Sequence, residues 1–205
     1  IAEPDVPTMV TRIIEDDRVS AVTLTGSNRA GAHVAMAAGK AVKKSVLELG
    51  GSDPFVVLGD ADLDDVIPKA VASRFLNGGQ SCLSAKRFIV ERTLAEEFAR
   101  RFAAAVAEMT VGDPTDPATR IGPLARVDLA QGLHRQVQES ITAGARALVG
   151  GQPLTEGSAF YAPTVLVDVT VDMPVMAEET FGPAAAVIAF DTDEDAARLA
   201  NLTPY

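Results

Sequence analysis

The sequence predicts an α/β fold, and three observations carry that prediction. Short β-branched, apolar stretches alternate along the chain with longer amphipathic or alanine-rich ones, the pattern of strands separated by helices. Glycines punctuate the ends of several strand-like stretches, at Gly26 and at Gly50-Gly51 among others. At 205 residues and 47% hydrophobic, the chain can bury a substantial core, yet no apolar run reaches membrane-spanning length.

Val6, Met9, Val10, Ile13 and Ile14 recur at helical spacing and predict an amphipathic helix. Residues 20–25 are β-branched and apolar and read as a buried strand, which Gly26-Ser27 breaks. Residues 30–40, rich in alanine, read as a helix, and residues 45–49 as a second strand ending at Gly50-Gly51. The pattern then restarts. A strand spans 54–58, Asp62 caps a helix running to about Asn77, and a strand over 86–91 leads into a helix over 93–109. Asp113-Pro114-Thr115-Asp116-Pro117 is a loop; a helix follows over 126–145, then strands over 160–169 and 184–190 and a last helix over 193–201. No internal repeat or low-complexity tract interrupts this order. The boundary falls at Gly50-Gly51, separating residues 1–50, the tail of one α/β domain, from residues 51–205, most of a second.

Eighteen Lys and Arg against twenty-eight Asp and Glu give a net charge of −10, which disfavours nucleic acid or an acidic membrane as partner. A single cysteine excludes an internal disulfide and fits a reducing compartment, so a cytoplasmic location is expected. Ile1-Ala2-Glu3-Pro4-Asp5 does not read as a signal peptide. The chain starts without Met and stops just after an amphipathic stretch, so both ends read as cut from a longer sequence. His33 and His134 are each isolated from a second ligand, and no metal site is expected. Asp60, Asp62, Asp64 and Asp65 lack the glycine and terminal glutamate of a calcium loop and instead load a helix N-terminus with favourable charge.

Two residues stand out as carriers of chemistry. Cys82 lies in Asn77-Gly78-Gly79-Gln80-Ser81-Cys82, small and polar surroundings that make a poor apolar pocket for a merely structural thiol. Its thiolate is a strong nucleophile, and its own N–H is a candidate oxyanion donor. Glu48 lies in Leu47-Glu48-Leu49-Gly50-Gly51, where the glycines suggest that something packs closely beside it. A partly desolvated carboxylate there suits general-base work near neutrality; a glutamate facing solvent from an edge strand is the plainer reading. Thr25-Gly26-Ser27-Asn28 sets a strand end, a turn and a helix start together, a geometry that favours phosphate, although the three-glycine dinucleotide fingerprint is absent.

These segments, together with Glu179-Thr180-Phe181-Gly182-Pro183, occur in the order and at the approximate spacing of the aldehyde dehydrogenase superfamily, which the chain resembles from about Val19 to Tyr205. The resemblance implies that residues 1–50 end a Rossmann-like NAD(P)-binding domain and that residues 51–205 form most of the catalytic domain. It implies that Cys82 adds to an aldehyde carbonyl to give a thiohemiacetal, and that Glu48 activates the water that hydrolyses the resulting thioester. Members that pass the acyl group to coenzyme A typically lack this glutamate, so hydrolysis is favoured. It also implies NAD or NADP as cofactor, with Gly26 and Ser27 beside the pyrophosphate, Leu49 and Gly50 lining the site, Glu179 on the nicotinamide ribose and Phe181 near the nicotinamide. Leu47 to Phe55, Asp60-Ala61-Asp62-Leu63 and Ala85-Lys86-Arg87-Phe88-Ile89-Val90 look most like bacterial succinate-semialdehyde dehydrogenases. Two departures exist: Leu76 stands where some of those enzymes carry an arginine for the substrate carboxylate, and Ser84 where some relatives carry a second thiol.

The same resemblance places an oxyanion asparagine, a cofactor-binding lysine and the acidic residue that sorts NAD from NADP upstream of Ile1, and a subunit-pairing strand beyond Tyr205. It implies a homodimeric or homotetrameric parent. Two alternatives stand beside the dehydrogenase reading: a non-catalytic isolated domain, and a nicotinamide-independent thiol acyltransferase or esterase.

Overall fold

In the computed structural model, which describes residues 5–205, Asp5 opens the first helix. Its carboxylate accepts the Thr8 N–H at 3.2 Å, satisfying one of the unpaired donors of helix α1 (Val6–Glu15). At the other end of α1 the Lys43 ammonium donates to the carbonyls of Ile14 at 2.7 Å and Asp16 at 2.6 Å, placing a cation where the helix dipole is negative. Strand β1 (Ala21–Thr25), helix α2 (Asn28–Lys40) and strand β2 (Lys44–Glu48) follow. The two strands pair in parallel, with Thr25 opposite Glu48 at their carboxyl ends. Ile14, Val34, Ala37 and Ala38 are buried between them and the helices, packed by Val22, Leu24 and Leu47. Val42, in the turn from α2 to β2, takes φ 56° with its side chain 93% exposed.

The chain divides into two units between Gly50 and Gly51. The second unit holds a five-stranded sheet in the order β3-β4-β7-β6-β5, built from β3 (Asp53–Val57), β4 (Ala85–Glu91), β5 (Arg146–Val149), β6 (Thr164–Val167) and β7 (Ala184–Phe190). All its pairings are parallel except β5 with β6. Alternation along the strands distributes side chains to the two faces. Phe88 and Val90 of β4 join Phe75 of helix α3 (Leu63–Phe75) and Phe98 and Phe102 of helix α4 (Arg92–Ala107), with the Phe88 and Phe102 rings 4.7 Å apart. On the other face Leu166 and Ala186 pack with Leu133 and Val137 of helix α5 (Val127–Thr142) and with Met176 of the one-turn helix α6 (Pro174–Ala177). Ile89 and Phe190 pack with Leu199 of helix α7 (Asp193–Asn201). Helices on both faces of a largely parallel sheet make this an α/β fold, as the sequence predicts. Among the described residues, no helix is long and apolar enough to cross a membrane.

Asp62 does cap α3, accepting the Asp64 N–H at 2.9 Å, but the helix stops at Phe75 rather than running on to Asn77. Asn77 and Gly78 take positive φ and turn the chain into a short 3₁₀ segment over Leu76–Gly79. The helix predicted to reach residue 145 ends at Thr142, and Gly144 (φ 117°) turns the chain into β5, a strand the sequence reading lacks. The strand predicted over 160–169 shortens to Thr164–Val167, and α6 was not predicted at all.

Candidate active site

Cys82 sits half-buried in the connection from α3 to β4, and this connection is tied down along its length. Asn77 and Gln80 exchange side-chain-to-carbonyl bonds at 3.1 and 3.2 Å, and the Gln80 amide oxygen accepts the Ala125 N–H at 2.8 Å. The Ser81 hydroxyl accepts the Leu83 N–H at 3.2 Å. The Cys82 N–H, in contrast, finds no protein acceptor among the described residues. Gly79 (φ 74°) lies so close to Gly182 that any Cβ would overlap the Gly182 carbonyl. The Cys82 motif and the Glu179–Pro183 motif, remote in sequence, therefore meet backbone to backbone.

Two buried cations hold that meeting. Arg74, at the end of α3, is fully buried and donates to the carbonyls of Ala85, Thr180 and Gly182. Burial lowers its pKa, and the Glu179 carboxylate acts in the opposite direction. Lys86, the second residue of β4, donates to the carbonyls of Ser81 (3.1 Å), Cys82 (3.0 Å) and Ser84 (3.1 Å). Its ammonium lies 4.0 Å from Glu179 Oε1. Burial lowers the Lys86 pKa, as does the charge of Arg74; Glu179, Asp53 and Cys82 oppose them. Glu179 Oε1 also accepts the Gly51 N–H at 3.1 Å, and a Cβ on Gly51 would lie 2.8 Å from the Cys82 carbonyl oxygen. Gly51, Cys82, Lys86 and Glu179 thus form one polar cluster, in which a side chain at position 51 has no room. Phe181 is 38% exposed beside it in sequence, while Thr180 is buried with its hydroxyl unpartnered.

In the first unit, the remaining candidates gather at the carboxyl ends of β1 and β2. Gly26 donates its N–H to the Glu48 carbonyl at 2.9 Å, and Gly50 donates to Asn28 Oδ1 at 3.2 Å. Ser27 caps α2: its hydroxyl accepts the Ala30 N–H at 3.3 Å and its carbonyl the Gly31 N–H at 2.9 Å. Leu49 packs its side chain against Gly31, where a Cβ would come within 2.5 Å of Leu49 Cδ2. Glu48 itself is exposed, so the partly desolvated carboxylate expected from its sequence setting is not found; the last residue of a two-stranded sheet has too little packed beside it. His134 engages the Tyr161 hydroxyl at 3.2 Å, which gives that ring a structural partner.

The family model described as "Aldehyde dehydrogenase family" matches residues 4–205. The chain belongs to the aldehyde dehydrogenase family. It is 50% identical over 192 residues to the succinate semialdehyde dehydrogenase (NAD(P)+) Sad of Escherichia coli strain K12, covering 94% of this chain and 42% of that protein. It is 46% identical over 196 residues to a succinate-semialdehyde dehydrogenase (NADP(+)) of Mycobacterium avium strain 104, covering 96% of this chain and 42% of the relative. The crystal structure of succinate-semialdehyde dehydrogenase from Burkholderia pseudomallei superposes with a TM-score of 0.93 at 37% identity, covering 99% of this chain and 42% of that one. The chain thus spans about two fifths of the length of the curated aldehyde dehydrogenases it matches.

Sequence reasoning quoted Lys86 only as part of a motif and did not single out Arg74. Their signal was present. Two adjacent cations, Lys86 and Arg87, interrupt a stretch that is otherwise apolar from Ala85 to Val90, and a cation inside a buried strand must find oxygen partners.

Proposed function

We propose that this sequence carries the reacting cysteine and base of an NAD(P)+-dependent aldehyde dehydrogenase that hydrolyses its acyl-enzyme, with succinate semialdehyde as the first substrate to test. In this reading residues 1–50 belong to the cofactor domain and residues 51–205 to the catalytic domain. The observation that carries it is the Cys82 connection, pinned on Lys86 and Arg74 with the Cys82 N–H left without an acceptor. The sulfur of Cys82 adds to the aldehyde carbon, and the oxygen gathers negative charge within reach of that N–H. Glu48 takes a proton from the water that later cleaves the thioester.

The residues present fit a dinucleotide. Ser27 caps the start of α2, where helix N–H groups favour an anion, and a Cβ on Gly26 would meet nothing closer than 3.8 Å, so the strand ends leave room for a phosphate. Gly26, Ser27, Leu49 and Gly50 are the cofactor candidates of the first unit, and Glu179 and Phe181 those of the second. When bound, the nicotinamide supplies the hydride acceptor. The names of the Escherichia coli and Mycobacterium avium relatives, both succinate-semialdehyde dehydrogenases, support the substrate choice.

The test separates the two reacting groups in the full-length protein. Cys82→Ala is expected to abolish reduced-nicotinamide formation, first turnover included. Glu48→Gln is expected to give a burst of about one reduced cofactor per site and then a slow phase, with a thioester on Cys82 seen by mass spectrometry. Wild-type steady-state turnover in Glu48→Gln refutes the base assignment. Acyl transfer or ester hydrolysis by Cys82 without nicotinamide, and no aldehyde oxidation with it, would move the protein to the thiol-transferase reading.

A further inference from the structure

We propose that Lys86 is a positioning residue that aims the Cys82 N–H at the developing oxyanion; the proposal rests on the dehydrogenase reading above. The argument starts from the planarity of the peptide unit. In a trans peptide the carbonyl of one residue points opposite to the N–H of the next. Lys86 holds the Ser81 carbonyl at 3.1 Å, so the Cys82 N–H in that same peptide must face away from the ammonium. Lys86 also holds the Cys82 carbonyl at 3.0 Å, which turns the Leu83 N–H away; there the Ser81 hydroxyl takes it at 3.2 Å. One ammonium therefore orients two successive peptide planes, and of their two N–H groups only that of Cys82 is left without an acceptor.

The construction is rigid. The Lys86 side chain is 0% exposed, and its third donor is spent on the Ser84 carbonyl at 3.1 Å. The titratable groups that act on it are Arg74, Glu179, Asp53 and Cys82. Glu179 at 4.0 Å supplies the counter-charge, and Arg74 anchors the Thr180 and Gly182 carbonyls that carry Glu179's segment. No other cation donates to the Ser81 or Cys82 carbonyl among the described residues, so nothing replaces Lys86 when it is removed. In the addition step the S–C bond forms and the carbonyl π pair moves onto oxygen; a donor already aimed at that oxygen needs no reorganisation as the charge appears.

The experiment uses the full-length protein and a reaction that needs the sulfur but forms no oxyanion. Alkylation of Cys82 by iodoacetamide is a displacement at a saturated carbon. Its plateau rate at high pH, where the thiol is fully ionised, reports access to the sulfur alone. Lys86→Met keeps an unbranched chain one atom shorter and removes the three donors. The expected result is a fall in aldehyde turnover of roughly 10²–10³-fold, the usual loss of one oxyanion donor, with the alkylation plateau unchanged. A parallel fall in both rates means that Lys86 places the sulfur rather than the N–H, and overturns the proposal, as does unchanged turnover. Should Lys86→Met fail to fold, wild-type crystals soaked with aldehyde in the absence of nicotinamide decide the point. An adduct oxygen about 3 Å from the Cys82 nitrogen, with Lys86 still on both carbonyls, supports it. An adduct oxygen bound elsewhere, or Lys86 swung away, overturns it. Retained turnover in Cys82→Ala would instead remove the underlying dehydrogenase reading, a separate failure.

Discussion

Val42 is a β-branched residue in the left-handed region, with φ 56° and 93% of its surface exposed. Its side chain gains little from packing, while its Cβ crowds the following carbonyl, a strain of about 1–2 kcal/mol for a non-glycine residue. Val42→Gly relieves that strain but loosens the unfolded chain, which returns part of the gain. The expected net effect is a stabilisation of about 0.5–1 kcal/mol, read as a higher urea midpoint at unchanged slope. Gly51 and Gly79 are the opposite case. Each is pressed against a carbonyl oxygen, of Cys82 and Gly182 respectively, and a methyl group there would push the nucleophile connection off its floor.

At the scale of elements, β4 joins stability to chemistry. From Ala85 to Val90 it is buried, between β3 on one side and β7 on the other, yet its second and third residues are Lys86 and Arg87. Arg87 spends its charge on architecture, donating twice to the Ser52 carbonyl and once each to those of Leu199 and Ala200 at the end of α7. Arg74 does the same for the turn at Gly182. Removing Arg74 takes a donor from three carbonyls, of which that of Gly182 keeps the Ala184 N–H at 2.8 Å, and leaves Glu179 with one counter-charge fewer. Arg74→Met is therefore expected to destabilise the fold by about 2–5 kcal/mol, measured by urea unfolding, and Arg74→Lys to recover only part of this because an ammonium lacks the planar fork. The period of the apolar residues made most of the helices and the sheet strands legible in the sequence. It could not reveal β5, four residues long and directly behind a helix of similar composition, nor α6, a single turn. The candidate site was legible as three motifs because glycines next to reactive side chains are a local signal. The cations that join the motifs were not, because their partners are main-chain oxygens, which leave no mark in the residue alphabet, and in Arg74's case lie up to 108 positions away.

For the molecule as a whole, stability in alkali follows from Tyr161. Its phenol is 0% exposed, bonded to His134, and burial raises its pKa above the ordinary value of 10.0. As pH climbs past 10, the unfolded chain releases that proton while the folded chain retains it, so the unfolded state binds fewer protons and stability falls. Its slope is about 1.4 kcal/mol per pH unit until the folded phenol also ionises. Tyr161→Phe is expected to be less stable near neutrality by about 1 kcal/mol, for the lost hydrogen bond, but to decline less steeply between pH 10 and 12. Thermal unfolding of both proteins across that range checks the difference in slope. The order of synthesis adds a last consequence. Arg74, Cys82 and Lys86 leave the ribosome roughly a hundred residues before Thr180 and Gly182. Until β7 arrives, Arg74 has no distant carbonyls to grip, Lys86 has no Glu179 beside it, and both cations keep their hydration rather than enter a core. A nascent chain can thus complete α3 and α4 while its thiol still rides on a slack peptide. The reactive geometry is finished only when the late-made segment ahead of β7 settles against β4, so partly made polypeptides carry the cysteine without the machinery that makes it dangerous.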